Sequence, residues 1–93
     1  MLNKKPKIEY SNDDGQTFDS AIIVTGAETT PVGIAAEYEY VASKLGVEGI
    51  DWELVQQTLI HGENDDFDIL EIKTKNGTFK TYHFNISDFY GKY

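Results

Sequence analysis

Asp68, His83 and Asn85 are the residues of this 93-residue chain whose types and spacing best suit acid–base chemistry. A carboxylate held against an imidazole fixes its tautomer and raises its basicity, as a general base requires. His61 lies just upstream as a second imidazole. Such a set works only inside a pocket with an oxyanion or metal partner, so the plain alternative is a solvated sheet face carrying ordinary polar residues.

The acidic run beside His61 supplies the second candidate. Glu63, Asp65 and Asp66 crowd hard oxygen ligands around Asn64, which suits Mg²⁺ or Ca²⁺. Their spacing reproduces no established calcium loop, and aspartate and asparagine are equally at home in a solvated turn. No cofactor is expected.

Asp68 and His83 can meet only if residues 66–87 fold as a hairpin. Asn76-Gly77 between alternating apolar runs predicts one, because a type I′ turn takes positive φ at both central positions. With Lys75 opposite Thr78, Ile69 opposes Phe84 and Phe67 opposes Ile86 on the core face, beside Glu71 and Tyr82. The second face then carries Asp68 opposite Asn85, Leu70 opposite His83 and Ile72 opposite Thr81. Leu70, Ile72 and Phe79 make that second face too apolar to be simply solvated, so either a bulge switches the alternation or something covers it.

The N-terminal part reads as another hairpin. Residues 1–6 form a loose tail ending in Pro6, and a strand starts at about Lys7. Ser11-Asn12-Asp13-Asp14-Gly15-Gln16-Thr17-Phe18 fits the pattern Ser-x-Asp-x-Gly-x-Thr-aromatic. It resembles the Asp-box hairpin of sialidase propellers and some microbial ribonucleases. The resemblance covers eight residues and implies local bracing rather than sialidase activity, since a propeller needs several copies in a far longer chain. Asp13 suits accepting backbone N–H bonds across the turn, Gly15 suits positive φ, and Phe18 suits anchoring the returning strand. An EF-hand loop centred on Gly15 is excluded, because its first and twelfth positions would be Tyr10 and Ala21.

Residues 18–25 then form a second strand, and Ala21-Ile22-Ile23-Val24, apolar on both faces, places it inside a sheet. Thr30-Pro31 starts a helix with the threonine as cap. Ile34, Tyr38, Val41 and Leu45 recur at helical spacing, Gly46 stops it, and Glu37, Glu39, Ser43 and Lys44 face water. Asp51 caps a second helix through about Ile60 with Trp52, Val55 and Leu59 as its stripe. Phe89 and Tyr90 pack back on the sheet.

The expected fold is a single α+β domain over residues 1–93 in the order β-β-α-α-β-β. About four antiparallel strands in two hairpins carry helices on one face. Its expected core is Ile8, Phe18, Ile22, Val24, Ile34, Tyr38, Val41, Leu45, Trp52, Val55, Leu59, Ile69, Tyr82, Phe84 and Ile86.

The charge pattern narrows function further. The net charge is −8, all eight basic residues are lysines, and residues 8–68 hold fourteen acids against Lys44 alone. Without arginine or a basic patch, direct nucleic-acid binding is not expected. No cysteine removes thiol and disulfide chemistry. No apolar run reaches membrane-span length and no signal-peptide pattern opens the chain, so a cytoplasmic protein with no membrane partner is expected. The abundant tyrosines and acids favour a small module that binds another protein, as an inhibitor, immunity factor or accessory subunit. Its expected interface is Glu37, Glu39, Tyr40 and Glu53. The alternatives are a small-molecule or metal-assisted enzyme using Asp68, His83 and His61, and a homo-oligomer formed through Leu70, Ile72 and Phe79.

Overall fold

The computed structural model describes residues 7–92. Its elements are β1 (Glu9–Tyr10), β2 (Ile22–Thr25), α1 (Thr30–Leu45), β3 (Trp52–His61), β4 (Asp66–Thr74) and β5 (Phe79–Asn85). The tail expected over residues 1–6 lies outside the described residues. One five-stranded sheet runs in the order β1-β2-β5-β4-β3, with β2 parallel to β5 and every other neighbouring pair antiparallel. The fold is α+β, with one helix and a mixed sheet in place of two helices and four antiparallel strands.

α1 forms where its composition asks for it. Thr29, one residue before the expected cap, accepts a hydrogen bond from Val32 N at 3.3 Å, and Pro31 sits in the first turn where its missing donor is harmless. Gly46 ends the helix at φ 110°. Thr30, Gly33, Ala36, Glu37 and Val41 form the buried stripe. The C-terminal segment closes over the start of α1: Thr30 N donates to Lys92 O at 2.6 Å and Gly91 N donates to Thr30 Oγ1 at 2.9 Å. Phe89 is fully buried there, its ring occupying the space a Cβ on Gly33 would need.

The expected second helix is the edge strand β3. Its register against β4 slips by one residue between Leu54 and Gln56. Val55 is the extra residue of this bulge, so the side chains on the helix side are Trp52 and Leu54, then Gln57, Leu59 and His61. A bulge breaks the two-residue alternation and leaves apolar spacings that mimic a helix. Asp51 caps a turn instead: its carboxylate accepts from Val47 N at 2.7 Å, and that bond, followed by Lys75, holds it below the ordinary aspartate range.

The β4–β5 hairpin is present with its register one residue away from the expectation. Lys75-Asn76-Gly77 form a three-residue loop in which Thr74 N donates to Thr78 O and Gly77 N donates to Thr74 O. Only Gly77 takes positive φ, so the two-residue type I′ turn does not form. Asp68 therefore opposes Phe84, Leu70 opposes Tyr82, and Ile69 opposes His83. A one-residue slip exchanges the faces of a strand. Leu70 and Ile72 enter the core with Ile22, Val24, Val41, Trp52, Phe84, Ile86 and Phe89, while Ile69 turns to the other side. Phe18, Val55 and Leu59, also expected inside, are exposed.

Candidate functional site

The register decides the fate of the acid–base set. Asp68 lies beneath α1, 1% exposed, and its Oδ2 accepts from Gln57 Nε2 at 2.6 Å. His83 lies on the opposite face of the sheet. Its Nδ1 is 2.9 Å from Gly15 O, an acceptor, so that nitrogen carries the proton, and His83 N donates to the same carbonyl at 2.6 Å. Phe18 packs on the imidazole at 4.8 Å and on Phe67 at 5.1 Å. His83 thus fastens the loop that follows β1. The sheet separates Asp68 from His83, and Asn85 caps a turn by accepting from Ser87 N. The expected triad is not assembled.

The same loop corrects the Asp-box expectation in part. Gly15 has φ 75° as that turn requires. Asp13, however, accepts from Ser11 Oγ, whereas Asp14 takes the backbone bond from Gln16 N, which holds it below the usual range. Phe18 anchors to the outer face of the sheet instead of the core.

His61, Glu63, Asp65 and Asp66 close the β3–β4 connection. His61 Nδ1 is 3.0 Å from Asp66 Oδ1 and its ring packs on Tyr90, while Asp65 accepts from Ser87 Oγ and Glu63 projects into solvent. Among the described residues no three His, Cys, Asp or Glu side chains are placed to hold a metal ion. Surface grooves of about 410, 370 and 310 Å³ meet at Lys80, and none of the three is walled by Asp68, His83 or His61.

The expected interface residues are scattered. Glu39 and Glu53 are exposed, on α1 and β3 respectively. Tyr40 is half-buried among Tyr10, Tyr82 and Phe84, with ring centroids 5.0–6.3 Å apart. Glu37, expected in water, is 0% exposed. The expected stripe runs through Ile34 and Tyr38, whereas the helix turns Gly33, Glu37 and Val41 inward; their i, i+4 spacing is the signal in the sequence.

Two other arrangements depart from ordinary packing. The first is the buried carboxyl pair of Glu37 and Asp68, beside which Tyr38 donates to Gln57 Oε1 at 2.9 Å. Burial, then the hydrogen bond and charge of Asp68, push Glu37 up to about 10. Burial also raises the nearby Tyr38 and Tyr10 phenols. The second is the sheet face away from α1, where Phe18, Ile23, Val55 and Phe79 are 45%, 44%, 47% and 62% exposed around the half-buried Ile60, Phe67 and Ile69. No protein-family model, curated protein or solved structure matches the chain. Among the described residues no helix is long and apolar enough to cross a membrane.

Proposed function

We propose that this chain is a binding module for another protein and engages it through the uncovered sheet face. The carrying observation is that the four apolar side chains Phe18, Ile23, Val55 and Phe79 are exposed on a face that no helix covers. Singly exposed apolar residues are ordinary; four on one sheet face, interspersed with Glu53, Glu71 and Lys73, give the mixed apolar and charged surface of a non-obligate protein interface. The long edge strand β3 borders the same face and adds unpaired backbone groups. Glu37 leaves the proposed interface because it is buried, and Tyr40 because its half-buried ring packs on Tyr10, Tyr82 and Phe84 on the helix side of the sheet.

The test is affinity capture from source-cell lysate at low and high salt, identification by mass spectrometry, and titration of the identified partner. Ile23→Asp with Phe79→Asp is expected to weaken it at least about ten-fold, the scale of one or two central contacts, and Glu39→Lys on α1 to leave it unchanged. Equal affinity for the double variant would remove this face from consideration. A mass that rises with concentration and is reset by Phe79→Asp would identify the occupant as a second copy.

A further inference from the structure

Glu37 of α1 and Asp68 of β4 lie within hydrogen-bonding reach of each other, at 0% and 1% exposure. Three of their four oxygens, Glu37 Oε1, Glu37 Oε2 and Asp68 Oδ1, have no donor against them; the fourth, Asp68 Oδ2, takes the Gln57 amide. The two phenols coupled to the pair are hydrogen-bonded elsewhere. Tyr10 of β1 donates to Ala36 O, and Tyr38 of α1 donates to Gln57 of β3. Phe84 of β5 lies opposite Asp68, and β2 presents Ile22 and Val24. The ionisable groups nearby are the two phenols, with Glu39 acting on Tyr10 and Glu48 acting on Tyr38, so all the charge is of one sign. The ion pairs of the described residues are Lys7 with Glu9, His61 with Asp66 and Lys75 with Asp51, and none reaches this pair.

Two ionised carboxylates in contact in a dry interface repel strongly, and both are acceptors, so neither can satisfy the other. One proton resolves both problems. We propose that Glu37 and Asp68 hold a single proton between them, and that this shared proton is the latch that docks α1 on the sheet. Glu37 Oε–H donates to the Asp68 carboxylate, which keeps the Gln57 amide on its other oxygen, and Tyr38 holds Gln57 in place. No bond other than hydrogen bonds forms or breaks. The raised proton affinity of Glu37 agrees with this placement. The latch does not depend on the binding face proposed above.

The consequence for stability has a definite sign. Between the ordinary carboxylate range and about 10 the folded chain keeps a proton that the unfolded chain has lost. Stability from the latch is complete below that window and declines as pH rises through it.

Two measurements on the full chain test the latch. The first follows the Glu37 side-chain carboxyl carbon by NMR between pH 4 and pH 10. It is expected to stay at the protonated position through pH 7; titration in the ordinary carboxylate range overturns the proposal. Millimolar Mg²⁺ or Ca²⁺ at pH 7 is expected to leave the resonance in place, and a shift to the ionised position on adding the cation overturns it in favour of a metal site. The second compares denaturant unfolding of the wild type and Glu37→Gln, whose amide donates to Asp68 without titrating. The wild-type unfolding constant is expected to rise relative to the variant's by up to about ten-fold per pH unit above pH 5. Parallel pH profiles would overturn the latch.

Discussion

The two faces of the sheet differ in where each leaves its misfit groups. Beneath α1, packing is closed around Trp52, Leu70, Ile72, Phe84 and Phe89, and the misfit is polar: two acids with oxygens that meet no donor. On the other face the misfit is apolar: Phe18, Ile23, Val55 and Phe79 stand in solvent while His83 is hydrogen-bonded to the Gly15 carbonyl. A buried polar group without a partner lowers the stability of the fold itself, whereas an exposed apolar group costs little in the folded chain and is recovered when something covers it. The covered face is therefore where pH should act, and the open face is where association should act.

The sharpest way to break this comparison is to truncate two neighbours that the register sends to opposite faces. Leu70→Ala is expected to cost about 2–5 kcal/mol by denaturant unfolding, and Ile69→Ala less than half as much. A larger loss for Ile69→Ala than for Leu70→Ala would return the hairpin to the two-residue turn. Glu37→Gln comes next: about 1–3 kcal/mol more stable than wild type near pH 8, with the difference vanishing near pH 4, where the acid is protonated in both states. Gly33→Ala follows, at about 1–2 kcal/mol destabilising despite alanine's better helix propensity, because the new methyl meets the Phe89 ring. Phe89→Leu in the same chain should restore part of that loss, and failure to do so would show that the ring is not the obstacle. Phe79→Asp is the smallest, within about 0.5 kcal/mol in thermal or denaturant unfolding, since its side chain is mostly in water already.

Legibility in the sequence followed how local each signal was. α1 was read nearly to the residue, because Thr-Pro at its start and Gly46 at its end act within one turn. The Asn76-Gly77 hairpin was read as a hairpin, but its register depends on whether Asn76 adopts positive φ. It does not, and that one dihedral exchanged Leu70 and Ile72 with Ile69. The register also carried Asp68 away from His83, so the expected site was lost with it. β3 was read as a helix because the bulge at Val55 shifts its inward series from Trp52 and Leu54 to Gln57 and Leu59. The Glu37–Asp68 pair escaped because both residues are ordinary surface types; only their spacing with Gly33, Val41, Leu70 and Ile72 marks them as internal.

The strand order has a consequence for biosynthesis. Among the described residues β5 is the last strand in chain order, yet it lies between β2 and β4 and joins β1 and β2 to the β3–β4 hairpin. As the chain emerges, β1 and β2 on one side and β3 with β4 on the other have no strand to connect them until Phe79–Asn85 has appeared. Cooperative folding of this sheet thus waits for Phe79–Asn85, and the parallel β2–β5 pairing spans some sixty residues, a long-range closure of the kind that slows folding. During that interval the inner edge of β4 is unpaired, and it is the strand that carries Leu70 and Ile72. A nascent or truncated chain ending before β5 is the form of this protein most exposed to wrong pairing and most in need of a chaperone.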